Sequence, residues 1–212
     1  MKYQLRDYQK KASDAAVMCF KMKSGRNGLL VLPTGAGKSL IIADIAARLE
    51  ETLIVFQPNK EILEQNFAKL QTYGIWDCSI YSASVGRKEI SRITFATIGS
   101  VIRHMKDFQH FKNILIDECH LVKPSDGMYK RFFEQAERRI VGLTATPYRL
   151  YSCMNGSMLK FLTRTRPRVF SQVLYYCQVS ELLAKGFLSR LKYYDVTRID
   201  LTKVRRNSSG AD

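Results

Sequence analysis

The stretch at positions 29–39, Leu-Leu-Val-Leu-Pro-Thr-Gly-Ala-Gly-Lys-Ser, narrows the possible folds of this chain more than any other. An apolar run of strand length leads into a Gly-rich turn, and Lys-Ser then opens a helix expected over 40–49. A buried parallel strand ending in such a turn lets successive backbone N–H groups curl around an anion. Gly35 and Gly37 accept conformations and close approaches that a Cβ would hinder. The helix N-terminus adds its positive dipole end. Pro33, Thr34, Gly35, Ala36 and Gly37 therefore form a candidate phosphate cradle. Lys38 supplies a point charge for β- and γ-phosphates, and the Ser39 hydroxyl a ligand for Mg²⁺. The general spacing of this pattern would place Gly at position 32, where the chain has Leu32.

The rest of the chain supports an α/β reading. Asp7 is placed to cap a helix whose apolar positions Ala12, Ala15, Ala16, Cys19 and Phe20 recur at helical spacing. Strands are expected at 52–56, 78–81, 92–95, 113–116 and 139–143, with a helix over 60–73 capped by Asn59 and a short helix after position 97. Strands alternating with helices, each strand carrying polar residues just past its C-terminal end, indicate a mostly parallel sheet covered on both faces. Ligands of such sheets bind at that edge. Beyond Pro147 the pattern weakens: 151–170 reads as a loop excursion with one short helix, 179–185 as a helix stopped by Gly186, 191–196 as a last strand and 207–212 as a linker.

Charge then narrows the partners. The 212 residues carry a formal net charge of +15. From Pro147 onward there are 12 Lys/Arg against 4 Asp/Glu, leaving 22 against 15 before it, so the last third is the more basic. Such an excess attracts a polyanion. The five cysteines are scattered, without a Cys-x-x-Cys pair, which argues for reduced thiols rather than a disulfide framework or a zinc site. No run has the length or composition of a signal peptide or a membrane span, so the expected location is cytoplasmic, away from membranes.

Asp117-Glu118-Cys119-His120 follows an apolar strand about 80 residues after Lys38. A carboxylate at that strand end can hold Mg²⁺ through water, and its neighbour can orient and deprotonate an attacking water. Asp117 takes the first role and Glu118 the second. Together with Thr144-Ala145-Thr146, these segments resemble motifs I, II and III of superfamily 2 helicases and translocases, of the Asp-Glu-x-His type. The resemblance runs from Leu5 to about Val196. It looks closest to bacterial and phage RadD-like DNA repair helicases and restriction-type translocases.

The resemblance implies further roles. Leu5-Arg6-Asp7-Tyr8-Gln9 looks like the Q motif, which places Arg6 and Gln9 at the adenine, with Gln9 reading its edge. Gln57, Pro58, Asn59 and Lys60 are similar to motif Ia and Thr97 belongs to the next nucleic-acid-contacting motif; helix N-termini, hydroxyls and backbone amides bind phosphates without reading sequence. His120 would couple the nucleotide site to motif III through Thr144 or Thr146. The implied fold is a RecA-like three-layer phosphate-loop NTPase domain over 1–198, with 199–212 starting a linker to a second RecA-like domain that also supplies arginine fingers. The implied cofactors are ATP and Mg²⁺, and the implied partner is nucleic acid, DNA before RNA. A phosphate-loop kinase or GTPase would leave Asp117 to His120 and Thr144 to Thr146 unexplained. A non-catalytic or RNA-directed nucleic-acid-binding module retaining the ATPase motifs is the other alternative.

Overall fold

The computed structural model describes residues 4–22, 26–153 and 156–190. Its elements are α1 (Asp7–Lys21), β1 (Gly28–Val31), α2 (Lys38–Arg48), β2 (Leu53–Phe56), α3 (Lys60–Thr72), β3 (Cys78–Ser82), β4 (Arg87–Lys88), β5 (Ile93–Ala96), α4 (Ile98–Val101), β6 (Asn113–Ile116), α5 (Met128–Phe133), β7 (Arg139–Thr144), β8 (Tyr148–Cys153), β9 (Gly156–Phe161), β10 (Gln172–Tyr176) and α6 (Val179–Ala184). An eight-stranded sheet in the order β10-β1-β7-β6-β2-β5-β3-β4 forms the middle layer. Every pairing in it is parallel except β3 with the short edge strand β4.

The central strands β2, β5 and β6 are buried along their whole length because both faces of the sheet are covered there. Along β2, Leu53 and Val55 join a core shared with α1, α2 and α3, while Ile54 and Phe56 point into an opposite core with Phe108, Phe111, Phe132 and Phe170. Phe132 meets Phe56 edge-on at 5.3 Å between ring centroids. The two cores make the three-layer α/β sandwich expected from the alternation of strands and helices.

Several local expectations shift. Helix α1 is capped by Arg6, with Asp7 already in its first turn, and α2 begins at Lys38, two residues before the expected start. In place of the loop expected over 151–170, the chain forms the two-stranded antiparallel hairpin β8–β9 and then a single 3₁₀ turn at Leu162–Arg164. The segment after it pairs as β10 beside β1, a strand with no clear alternation of its own. The last expected strand, at 191–196, and the proposed linker lie outside the described residues.

Gly142 in β7 shows how tightly the second core is packed. A Cβ there would lie 2.6 Å from Cys119 Sγ and 2.8 Å from both Cys119 Cβ and a Phe170 ring carbon, all in rigid surroundings. Gly142→Ala should therefore destabilise the fold by about 1–3 kcal/mol through overpacking. Gly99→Ala, where a Cβ meets nothing within 4 Å, should be neutral or slightly stabilising. Denaturant midpoints of the two variants check this contrast.

Candidate functional site

Strand β1 delivers the chain to the C-terminal edge of the sheet, and the loop after it turns on two left-handed glycines, Gly35 at φ +81° and Gly37 at φ +75°. Leu32 is fully buried in the first core, and its N–H donates to the Thr144 carbonyl at 2.9 Å. That position prolongs the β1–β7 pairing, which explains why an apolar residue serves where the general motif has Gly. The turn itself closes through Ala36 N–H to Pro33 O at 3.2 Å and Leu40 N–H to Gly37 O at 3.0 Å.

The Ala36 carbonyl is gripped from α1. Tyr8 Oη donates to it at 2.9 Å and Gln9 Nε2 at 3.0 Å, while Gln9 Oε1 accepts the Arg6 backbone N–H at 3.0 Å. Gln9 is buried and both ends of its amide are engaged. A Cβ at Gly37 would stand 2.5 Å from Gln9 Nε2, so the glycine is required by the close approach of this amide as well as by its φ. Arg6 lies with its guanidinium carbon 4.2 Å from the centroid of the Phe187 ring, and Tyr8 packs against the same ring at 5.7 Å. Phe187 and Leu188, beyond α6, thus fold back beside the loop, a placement that no local signal in the sequence announces.

Opposite the loop stands the end of β6. Asp117 continues that strand, its N–H donating to Phe56 O at 3.0 Å. Its carboxylate is buried, accepting from the Glu118 N–H at 3.0 Å and from Asn66 Nδ2 at 3.3 Å. Burial pushes the Asp117 carboxyl above its ordinary range, and the Lys38 ammonium opposes that rise. Glu118 is the only non-glycine among the described residues with positive φ, at +49°. The left-handed conformation costs about 1–2 kcal/mol, and it aims the carboxylate at Lys38, with which it forms an ion pair. The other carboxylate oxygen is 3.3 Å from His120 Nδ1.

His120 Nδ1 also lies 3.0 Å from Thr144 Oγ1, which in turn accepts the Thr146 N–H at 3.0 Å. Lys38, Glu118, His120, Thr144 and Thr146 are therefore one connected polar chain running from β1 through β6 to β7. Asn66 escaped the sequence reading, although a polar residue among Leu63, Phe67 and Leu70 on the buried face of α3 is a detectable signal.

A second cluster occupies the same sheet edge past β2 and β5. The Asn59 side chain accepts the Ile62 N–H at 2.9 Å, capping α3. A cavity of about 520 Å³ beside it is lined by Pro58, Lys60, Ser84, Lys88, Thr97 and Arg103, so three cations converge there. Lys88 and Arg103 were not picked out from the sequence, because nothing local relates them to Lys60. Thr97 Oγ1 is held 3.1 Å from Ser82 Oγ and 3.0 Å from Ser100 Oγ. Gln57 is almost fully buried, and neither atom of its amide has a partner among the described residues; it lines a neighbouring cavity of about 480 Å³ with Leu121, Lys123 and Tyr129.

The loop and carboxylates fit a magnesium–nucleotide complex. Two left-handed glycines open the cradle, a lysine sits at its mouth, and a desolvated aspartate faces that lysine across the cleft.

The "DNA 3'-5' helicase XPB" of Mycobacterium tuberculosis is 30% identical over 154 residues, covering 68% of this chain and 27% of that relative. The "DNA 3'-5' translocase XPB2" of Sulfurisphaera tokodaii is 29% identical over 151 residues, covering 70% and 32%. The chain thus spans roughly a quarter to a third of these curated relatives. The UvsW helicase from Bacteriophage T4 superposes with a TM-score of 0.55 at 22% identity, over 68% of this chain and 54% of that one. The Sulfolobus solfataricus SWI2/SNF2 ATPase core, solved in complex with dsDNA, gives 0.56 at 21%, over 69% and 33%. These likenesses establish the helicase RecA-like fold. Residues 2–149 match the family described as "Type III restriction enzyme, res subunit", and the chain belongs to that family, with the motor fold of superfamily 2 helicases.

Proposed function

We propose that this chain is the ATP-binding motor domain of a DNA-dependent ATPase, a helicase or translocase, forming one wall of a nucleotide cleft whose other wall is a second RecA-like domain. The observation that carries the reading is the pairing of Lys38 with Glu118 beside the buried Asp117, two strand ends brought face to face. ATP with Mg²⁺ supplies a phosphoanhydride bond and a Lewis acid. Thr34 to Ser39, following Pro33, would cradle the phosphates with backbone N–H groups, Ser39 and Asp117 would hold the metal, and Glu118 would orient the attacking water and take its proton. For that, Glu118 must let Lys38 turn to the phosphates, so nucleotide binding exchanges one partner of Lys38 for another.

On the adenine side, Arg6 and Gln9 hold the base. Both ends of the Gln9 amide are engaged by Arg6 and Ala36, and each end keeps a second site, one N–H and one lone pair, with which to read the adenine edge. Base recognition and loop conformation are tied through a single side chain. The His120–Thr144–Thr146 chain carries the state of Glu118 toward β7 and the segment after it. Within the superfamily, the Asp-Glu-Cys-His identity supports a kinship with RadD-like repair helicases and restriction-type translocases, and the same reading assigns the motor domain to 1–198 and a linker to 199–212. Lys60, Lys88, Arg103 and Thr97 offer phosphate contacts on the same sheet edge, with Gln57, Pro58 and Asn59 shaping that surface. None of the described helices is long and apolar enough to cross a membrane.

Nucleotide binding with and without Mg²⁺ tests the reading. Lys38→Ala should lower ATP·Mg affinity at least tenfold; an unchanged affinity would reject the active-site assignment. Glu118→Gln should keep nucleotide affinity within a few fold while hydrolysis falls by about 10²-fold or more, as expected on losing a general base. For the nucleic-acid contacts, Lys60→Ala should weaken DNA binding evenly across sequences and reduce the magnitude of the log–log salt slope by about 1. Fluorescence anisotropy over a salt series measures it.

A further inference from the structure

The β8–β9 hairpin is used by none of the roles above; one face is wholly apolar near its root, while the other mixes Arg149 and Lys160 with Tyr151 and Met158, Lys160 lying 5.5 Å from the Tyr151 ring centroid. Its register sets Tyr148 opposite Phe161 and Leu150 opposite Leu159, four large apolar side chains on one face. All four are exposed: Leu150 by 66%, Leu159 by 60%, Phe161 by 55% and Tyr148 by 41%. Tyr148 and Phe161 meet edge-on with centroids 6.4 Å apart. Apolar area of this kind is costly to leave in water unless something covers it.

Charge decides what covers it. From Arg138 to Ser180 the chain holds seven Lys/Arg and no Asp/Glu. Arg149 and Lys160 face each other on the other side of the hairpin, and Arg164, Arg166 and Arg168 follow as exposed residues. None of these five has a carboxylate partner among the described residues. A hydrophobic protein partner would gain nothing from this one-signed field, whereas a polyanion with apolar rings is matched by both halves of it.

The spacing also suits nucleobases. Successive pairs on one face of a hairpin lie roughly 6.8 Å apart along the strands, about twice the 3.4 Å rise per base of a stacked strand. A side chain can therefore insert where a base step has opened.

We infer that the Tyr148–Leu150–Leu159–Phe161 face of the hairpin is a stacking platform for unpaired bases of a nucleic-acid strand whose phosphates the surrounding arginines hold. The inference rests on the reading that the chain acts on nucleic acid, and it extends the contact surface well beyond Lys60 and Thr97. The platform is rigidly rooted. Leu162 is buried in the second core and its N–H donates to Pro147 O at 2.8 Å, while the Arg149 guanidinium donates to the Val122 carbonyl. Pro147 directly follows Thr146, and Val122 lies between the two residues, Leu121 and Lys123, that line the cavity holding Gln57. A strand seated on the hairpin thus lies next to the polar chain that begins at Glu118.

The test uses the 212-residue chain and a single-stranded DNA oligonucleotide carrying 2-aminopurine, whose fluorescence reports stacking. Wild type should change that fluorescence on binding. Phe161→Ala should abolish most of the change and weaken binding about tenfold, as loss of one aromatic stack predicts, with the ring-retaining Phe161→Tyr restoring both. Circular dichroism melting verifies the fold, and should Phe161→Ala not fold, Leu159→Ser on the same face replaces it, with a severalfold loss expected. Folded variants that bind and quench like wild type would overturn the proposal. So would unchanged DNA binding accompanied by loss of self-association in sedimentation, which would assign the face to a second copy of the chain. A motor reading that failed through Lys38→Ala is distinguishable, because it concerns nucleotide affinity and leaves the fluorescence readout untouched.

Discussion

Parallel strands deliver all their C-terminal ends to one edge of a sheet, and everything functional in this protein depends on that constraint. β1, β2, β5, β6 and β7 run the same way, so the phosphate loop, the Pro58–Lys60 turn, Thr97, the Asp117–Glu118 pair and the Thr144–Thr146 segment emerge together. Because both faces of the sheet are buried under helices and loops, the edge is where polar groups can gather without a desolvation penalty that nothing repays. The two aromatic-rich cores hold the strands in register, and register fixes which groups oppose one another across the cleft.

Within that edge, the interactions are arranged so that each of these polar groups has a partner. Lys38 is paired with Glu118, the Asp117 carboxylate accepts from an amide and a backbone N–H, and the Ala36 carbonyl accepts from Tyr8 and Gln9. Removing a buried partner costs more than the net worth of a hydrogen bond, so a ligand entering the cleft has to replace these contacts with its own. The left-handed Glu118 stores a little strain at the one residue that touches both Lys38 and His120. That placement joins the lysine after β1 to the polar groups at the end of β7 through one side chain.

The basic character of the last third, which already predicts attraction to a polyanion, acquires a definite surface with the hairpin. As a linear stretch it reads as a solvated, cationic loop. Folded, it presents one wholly apolar face, with cations on the opposite face and in the segment that follows, anchored to both the segment after Glu118 and the segment after Thr146.

What the sequence determined by itself was the part governed by local chemistry. The loop at 33–39, the acidic pair after an apolar strand, the Asn59 cap and the strand-helix alternation are all readable, because glycines, caps and apolar periodicity act over a few residues. The pairing of His120 with Thr144 was within reach of the family resemblance, and the geometry brings the two together. Only the tertiary structure decided the rest. Asn66 reaching Asp117, Phe187 stacking on Arg6, Lys88 and Arg103 converging on Lys60, and β10 pairing with β1 all join positions far apart in the chain. The hairpin β8–β9 is the clearest case. Its large apolar residues face water instead of a core, so no buried context marks them as a strand, and only the antiparallel pairing of Tyr148–Cys153 with Gly156–Phe161 separates one face from the other.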